Sequence, residues 1–308
     1  MATLKELRSR IEGVQNIEQI TRAMKMVAAA RLKRSEQAIV SMRPYASYLD
    51  ELCAGFLLEA MGADHPFFEM REPESYALIM LTGDRGLCGS YNDNVVRKAT
   101  EIIDGRADQR CELFVVGQRG IVDMNRLEYD IREEYTDVFN PVKFTFAESL
   151  IEEFADLFLD HQVDEVVVLY TEFFNPVRQE VRTRTLLPCD VERFHERAVV
   201  REAESQPKGV RPLPEAFHNR QEDVYIYEPD YETICTELLS RNLTVQLYRT
   251  MLEAQASEQG ARMVAMDNAT ENAEEMIDDL TLQMNRQRQE NITREILDVV
   301  GGAQAFEE

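Results

Sequence analysis

The sequence predicts an α/β fold in which the N- and C-terminal helices form a long antiparallel coiled coil, joined to a central Rossmann-like α/β domain. The coiled coil is predicted by two long segments, Ala2 to Arg43 and Tyr231 to Val300, which contain no proline and one glycine each. The first segment would be about 63 Å long as a helix, longer than a small domain is wide. The α/β domain is predicted by short apolar runs that alternate with helical stretches in between.

The N-terminal segment has apolar residues at intervals of mostly three or four, which is the spacing of one helix stripe. Thr3 and Glu6 fit a capping box before the stripe, and Arg43-Pro44 predicts where the helix ends. The predicted stripe consists of Leu4, Leu7, Ile11, Val14, Ile17, Ile20, Met24, Val27 and Leu32.

The C-terminal segment has small residues at every fourth position. They are Ser257, Ala261, Ala265, Ala269 and Ala273. Small side chains on one helix face allow a second backbone to approach closely, so we expect Ala265 and Ala269 at the closest approach of the two helices. Ala28, Ala29 and Ala30 are the expected counterpart on the first helix. This arrangement favours an antiparallel coiled coil over the core of an ordinary helical bundle.

Charge is distributed unevenly over the 308 residues, whose formal net charge is -23. Residues 1–43 hold nine Lys/Arg and four Glu, whereas residues 230–308 hold six Arg and 16 Asp/Glu. A basic helix beside an acidic one favours pairing between the two. The acidic bulk argues against a nucleic-acid partner, because phosphate contacts require clustered Lys and Arg.

Other composition signals exclude several classes of protein. No run of 18 apolar residues predicts a membrane span. The five cysteines and four histidines are scattered without metal-ligand or disulfide spacing, which favours a reducing cytoplasm and no metal site.

The middle of the chain predicts alternating strands and helices. Strands are expected at 76–81, 111–116 and 165–170, helices at 92–103 and 145–159, and an antiparallel edge strand at 179–187. The predicted organisation is an N-terminal shaft helix at 1–57, a central α/β domain at 74–229 with an acidic insertion at about 190–229, and a C-terminal shaft helix at 230–308.

The loop from Gly83 to Gly89 follows the first predicted strand, where Rossmann-like sheets bind phosphates. Its glycines do not match G-x-G-x-x-G, and the chain contains no G-x-x-x-x-G-K-[ST] motif. Cys88 has no evident histidine partner. We therefore expect a surface contact loop, with no catalytic residues, no cofactor and no direct ATP binding.

Three segments together resemble the gamma subunit of F-type ATP synthase, of the bacterial type. They are Met24 to Leu32 (MKMVAAARL), Asp84 to Gly89 (DRGLCG), and the C-terminal positions that include Ala261-Arg262-Met263, Arg288-Gln289, Ile292-Thr293 and Glu295-Ile296. The resemblance covers essentially the whole chain in the same order. The coiled-coil prediction comes from residue spacing, whereas this identification comes from the resemblance.

The resemblance implies a rotating central stalk without phosphoryl chemistry of its own. The implied partners are the alternating hexamer of alpha and beta subunits, the epsilon subunit and the membrane ring of c subunits. The implied location is peripheral, at the cytoplasmic face of the bacterial inner membrane. The implied subunit-contact and coupling residues are Met24, Lys25, Arg31, Asp84, Arg85, Gly86, Arg262, Arg288, Gln289, Thr293 and Glu295, and the apolar tip would include Phe306.

Two departures from the family pattern lie in the loop. Gly83 stands where the family usually has serine, and Ser90 stands where it usually has glycine. A stand-alone cytoplasmic coiled-coil scaffold and a Rossmann-like enzyme remain alternatives from the residues themselves. The scaffold leaves the loop unexplained, and the enzyme lacks a visible catalytic constellation.

Overall fold

Two long helices and a five-stranded sheet make up the part of the chain that the computed structural model describes, residues 3–59, 65–189 and 230–305. The predicted acidic insertion at about 190–229 and Phe306 lie outside the described residues. The elements are α1 (Leu4–Glu59), a 3-10 turn (Pro66–Phe68), β1 (Ser75–Leu81), α2 (Tyr91–Gly105), β2 (Arg110–Val116), α3 (Gln118–Arg126), β3 (Ile131–Tyr135), α4 (Phe144–Leu159), β4 (Glu165–Phe173), β5 (Gln179–Leu187) and α5 (Tyr231–Ala305).

The sheet has the strand order β3-β2-β1-β4-β5. The first four strands are parallel, and β5 runs antiparallel to β4 at the edge, which confirms the prediction for 179–187. One face of the sheet packs on α4 and α5, and the other packs on α2 and α3. Because β1 is covered on both faces, it is a continuous apolar run without alternation.

Two elements between β2 and α4 were not predicted. The α3 helix has only nine residues, and its Gly120 packs so closely on β1 that an added Cβ would lie 2.5 Å from Thr82 Oγ1. The β3 strand, IREEY, is an edge strand with an exposed polar centre. Neither segment has the length or the apolar periodicity that makes an element recognisable from sequence.

The helices α1 and α5 run antiparallel and are joined by polar pairs as well as apolar contacts. Ser35 Oγ is 2.9 Å from Gln255 Oε1, and further along Arg22 Nη2 is 2.5 Å from Glu274 Oε1. Lys25 also pairs with Asp267. The expected pairing of a basic helix with an acidic one is therefore present in specific ion pairs.

The face of α1 that packs on α5 differs in part from the predicted stripe, of which Leu7 and Leu32 are buried. Thr21 and Ala28 are buried, with 8% and 1% of their surface exposed, whereas Ile20 and Val27 are 59% and 54% exposed. Buried or half-buried positions recur every seven residues, and this period keeps a seam facing its partner in a left-handed coiled coil. Seven residues are slightly less than two turns of a 3.6-residue helix, so a stripe chosen by the 3.6-residue spacing gradually moves away from the seam. Ile20 and Val27 of the predicted stripe are therefore exposed. The seven-residue set is Leu7, Val14, Thr21, Ala28, Ser35, Met42 and Leu49.

The predicted end of the first helix at Arg43-Pro44 is wrong, because α1 continues through Pro44 to Glu59. Proline inside a helix costs about 3 kcal/mol, since it removes a backbone hydrogen bond and crowds the preceding turn. Apolar packing on both sides of Pro44 offsets that cost. Met42 and Leu49 lie in a cluster with Val245 of α5.

The small residues of α5 near its middle face the α/β domain. Ser257 Oγ donates to Thr171 O of β4 at 3.0 Å, and Ala261 and Ala265 line a groove of about 330 Å³ between α5, the loop at 88–91 and the β4–β5 hairpin. Ala265 therefore faces the α/β domain, contrary to the expectation that it lies at the closest approach to α1, whereas the expectation for Ala269 stays a prediction. A neighbouring face of α5 contacts α1, where the hydroxyl of Thr270 meets the hydroxyl of Thr21.

Gly260 explains how the hairpin fits against a continuous helix. A Cβ at this position would lie 3.2–3.3 Å from Gln179 Nε2, Phe173 Cε2 and Pro176 Cα. The hairpin that joins β4 to β5 thus crosses α5 at Gly260. In the described ranges, no helix is both long and apolar enough to cross a membrane.

Candidate functional site

The candidate site is the loop Gly83 to Gly89, which leaves the carboxyl end of β1 beside α5. Thr82 secures its start, because the Thr82 hydroxyl donates to Val116 O at 2.9 Å and accepts from Gly120 N at 3.0 Å. Gly83 N donates to Asn92 Oδ1 at 2.9 Å. These bonds attach the beginning of the loop to β2, α3 and α2.

Asp84 is half-buried and its carboxylate bonds to backbone groups of this chain. Its Oδ1 accepts hydrogen bonds from Gln118 N at 3.1 Å and Asp137 N at 3.3 Å. Because Gln118 is the first residue of α3, the carboxylate satisfies an N–H group that the helix itself leaves without a partner. The structure therefore gives Asp84 an internal role, and a contact with another subunit stays a prediction for this residue.

Arg262 of α5 holds the middle of the loop. Its Nη2 donates to Arg85 O at 3.2 Å and to Gly86 O at 3.3 Å. The same nitrogen is 2.6 Å from Glu258 Oε1, one helical turn earlier. Both side chains are buried, so this ion pair is shielded from water and the guanidinium is directed at the loop carbonyls.

Glu258 lies against the loop at Gly83. A Cβ on Gly83 would come within 2.8 Å of Glu258 Cδ and Oε1, so glycine is what leaves room for the carboxylate. Burial raises the pKa of Glu258 above its ordinary value, and Asp84 raises it further. Arg262 and, from α1, Arg31 act in the opposite direction by favouring the charged form.

The tip of the loop faces solvent. Arg85 and Leu87 are exposed, and Leu87 has a left-handed backbone with φ 62°. Ser90 has φ -87°, which any residue adopts, so the family glycine missing at this position is not needed by the backbone.

Cys88 is buried inside the loop and accepts a hydrogen bond from Asn92 Nδ2 at 3.2 Å. Burial raises the pKa of the Cys88 thiol, so the thiolate that a nucleophile requires is disfavoured. Cys88 therefore fits a packing role within the loop.

Three of the predicted residues, Met24, Lys25 and Arg31, lie on α1 in the part that passes the loop and Arg262. Lys25 pairs with Asp267 of α5, Met24 is half-buried, and Arg31 is near enough to Glu258 to affect its pKa. The structure thus brings Arg31, Asp84, Arg85, Gly86 and Arg262 into one cluster, with Met24 and Lys25 next to it.

The remaining predicted residues lie far away on α5. Arg288, Gln289, Thr293 and Glu295 are exposed. At 1.5 Å per residue, Arg288 is about 39 Å along the helix from Arg262. The predicted residues therefore form two separate groups.

Glu258 belongs to the cluster and Asp267 lies next to it with Lys25, although neither was predicted as a site residue. The i,i+4 spacing of Glu258 and Arg262 is a sequence signal that could have identified the first. Asp267 had no such signal, since its partner Lys25 is 242 positions away in the sequence.

Comparisons with known proteins agree with this architecture. Residues 3–306 match a protein family described as ATP synthase. The ATP synthase gamma chain of Salinibacter ruber is 42% identical over 314 residues, covering 100% of this chain and 99% of that relative. The ATP synthase gamma chain of Chloroherpeton thalassium is 38% identical, with the same coverage.

Solved structures with the same fold come from ATP synthase assemblies. A chain of the Euglena gracilis mitochondrial ATP synthase, in a structure of OSCP, F1 and c-ring, has a TM-score of 0.66 at 19% identity, with coverage of 99% of this chain and 94% of that chain. A chain of the Tetrahymena thermophila central stalk and c-ring has a TM-score of 0.58 at 23% identity, with coverage of 81% and 99%.

Proposed function

This chain belongs to the family of ATP synthase gamma chains and is a non-catalytic, central-stalk subunit of that complex, and we propose that its paired helices turn inside a hexamer of alpha and beta subunits. Turning would couple ion flow through a c-subunit ring to ATP synthesis or hydrolysis on beta. The shaft would act by favouring a different conformation of each beta subunit as it rotates. The relatives matched along their whole length are gamma chains, so neither the scaffold nor the Rossmann-like enzyme is retained.

The observation that carries this proposal is the exposed apolar surface of the paired helices. Ile20 and Val27 of α1 are more than half exposed, as are Leu282 and Ile296 of α5. These side chains lie along helices that already contact each other through a different face. Large apolar side chains that stay exposed along a helix favour a contact with another protein at that surface.

We assign partners to the surfaces as follows. The exposed Arg85 and Leu87 at the loop tip contact a beta subunit, and Arg288 and Gln289 make polar contacts higher in the hexamer. The globular domain contacts the epsilon subunit and the c-subunit ring. The complex lies at the cytoplasmic face of the bacterial inner membrane, with this chain as a peripheral component.

The test is reconstitution of this chain with purified alpha and beta subunits. We expect a stable complex in which ATP hydrolysis exceeds that of alpha and beta alone and in which a bead attached to this chain rotates. The chain by itself should hydrolyse no ATP. A tagged chain that purifies from membranes without alpha and beta would contradict the proposal.

A pair of matched variants tests the exposed surface. Ile20→Asp should weaken assembly, because it places a charge on the face assigned to the hexamer. Val122→Asp is the control, since Val122 is a half-exposed apolar residue of α3 in the globular domain. Equal assembly of the two variants would argue against the shaft face as the hexamer contact.

A further inference from the structure

Glu258 is a buried carboxylate at the junction of the loop and α5, and only 5% of its surface is exposed. It therefore cannot make an extensive contact with another subunit. Its nearest groups belong to this chain: Gly83 on one side and Arg262 at 2.6 Å on the other. Any contribution of Glu258 to the stalk must act through these neighbours.

The middle of the loop depends on Arg262. Its start is held by Thr82, Gly83 and Asp84 through bonds to α2 and α3, as described above. By contrast, the carbonyl oxygens of Arg85 and Gly86 accept from Arg262 Nη2 at 3.2 and 3.3 Å. Among the described residues the other contact to this pair is from the Cys88 thiol to Arg85 O at 3.8 Å, which is a weak hydrogen bond.

Glu258 explains why the guanidinium stays in this position. A buried Arg without an anion would be destabilised and would turn toward water, because desolvation of an unpaired charge is costly. The carboxylate one turn earlier compensates the charge and fixes the direction of Nη2. The charge of Arg31 on α1 also favours the charged form of Glu258.

We propose that Glu258 is a positioning residue, which holds Arg262 on the loop carbonyls so that the loop and the C-terminal helix turn as one body. The inference rests on the proposed function, in which the loop tip contacts a beta subunit during rotation. If the loop could shift relative to α5, part of each step would move the loop instead of the shaft. Coupling would then fall while ATP hydrolysis continued.

The experiment uses the complete complex in membrane vesicles, with two measurements on each variant. The first is hydrogen exchange at the two hydrogen-bonded amides that bracket the loop, Gly83 N on Asn92 Oδ1 and Tyr91 N on Cys88 O. The second is the ratio of ion pumping to ATP hydrolysis. The variants are Glu258→Ala, Arg262→Ala, their double mutant and the conservative Glu258→Gln. The control is Glu253→Ala, since Glu253 is an equally buried carboxylate of α5 paired with Arg249 at 2.9 Å, away from the loop.

In Glu258→Ala we expect loop exchange to rise roughly tenfold, the effect of losing one hydrogen bond to a charged group, and we expect the pumping ratio to fall. Glu258→Gln keeps an acceptor for Arg262 and should be intermediate. The double mutant should be no worse than Arg262→Ala, because Glu258 acts through Arg262. Glu253→Ala should leave loop exchange and the ratio unchanged.

Wild-type loop exchange and pumping in Glu258→Ala would overturn the inference. So would a double mutant whose loss is the product of the two single losses, because Glu258 would then act independently. If Glu258→Ala does not assemble, Glu258→Gln carries the same test. Failure of the wild-type chain to assemble or to pump would instead refute the proposed function.

Discussion

Thr21 of α1 and Thr270 of α5 meet across the paired helices with their hydroxyl oxygens 2.8 Å apart. Both side chains are buried, and each hydroxyl also contacts a carbonyl of its own helix, Glu18 O at 3.0 Å and Met266 O at 2.7 Å. Each hydroxyl of a buried polar pair in the seam meets its partner only when the two helices are in the correct register. This contact therefore helps to set the alignment of the two helices.

Replacing one member of this pair should cost more than replacing both. Thr270→Val keeps the shape and removes the hydrogen bond to Thr21, whose hydroxyl still donates to Glu18 O, at a cost of about 0.5–1.5 kcal/mol. The double variant Thr21→Val/Thr270→Val removes both polar groups and should recover most of the loss. Thermal unfolding of the purified chain measures the difference. Equal and additive losses would show that the hydroxyls do not interact.

Gly83 should be sensitive to the chemistry of its replacement as well as to size. Gly83→Ala places a methyl group within 2.8 Å of the Glu258 carboxylate and should destabilise the chain by roughly 1–3 kcal/mol. Gly83→Ser adds a hydroxyl that can donate to the same carboxylate, so its loss should be smaller. The unfolding midpoints of the two variants decide this. A serine variant less stable than the alanine variant would contradict the assigned contact.

Gly13 of α1 and Gly260 of α5 should respond differently to replacement by alanine. Nothing lies within 4 Å of a Cβ at Gly13, so Gly13→Ala should stabilise the chain by about 0.5–1 kcal/mol through helix propensity. At Gly260 the Cβ would meet the β4–β5 hairpin at 3.2–3.3 Å, which cancels that gain. Gly260→Val should be clearly destabilising. Equal stabilisation by alanine at both sites would show that the hairpin does not pack tightly on α5.

The raised pKa of Glu258 predicts a specific pH dependence. The folded state then holds the proton more tightly than the unfolded state, so the contribution of Glu258 is complete below about pH 4.5 and declines as pH rises through the folded pKa. The Glu258→Gln variant has no carboxyl group that titrates at this position. The stability of wild type relative to Glu258→Gln should therefore fall as pH rises above 4.5. A relative stability that increases with pH would mean that Arg262 outweighs burial and lowers the pKa.

Regular segments of this fold could be predicted from their own residues. The strands β1, β2 and β4 are short apolar runs bounded by turn residues, and β5 alternates between polar and apolar residues as an edge strand does. The long helices were predicted from the absence of proline and the repeated apolar positions. In each case the signal is local, since a backbone conformation and one buried face suffice to produce it.

The site could be predicted only in part. The loop and Arg262 were found through resemblance, whereas Glu258 acquires its role from proximity to Gly83, 175 positions earlier in the sequence. The pairing of Lys25 with Asp267 likewise depends on the register of the two helices. The residue pattern of either helix alone does not predict how the two helices are aligned along each other.

Sequence alone thus determined the α/β class, the two terminal helices and their opposite charges. Tertiary structure decided which face of α1 is buried, since Thr21 and Ala28 occupy the seam while Ile20 and Val27 face outward. It also decided that α1 continues past Pro44 and that Asp84 caps α3. The physical reason is common to these cases: packing between distant segments contributes more free energy than the local preferences that a sequence pattern records.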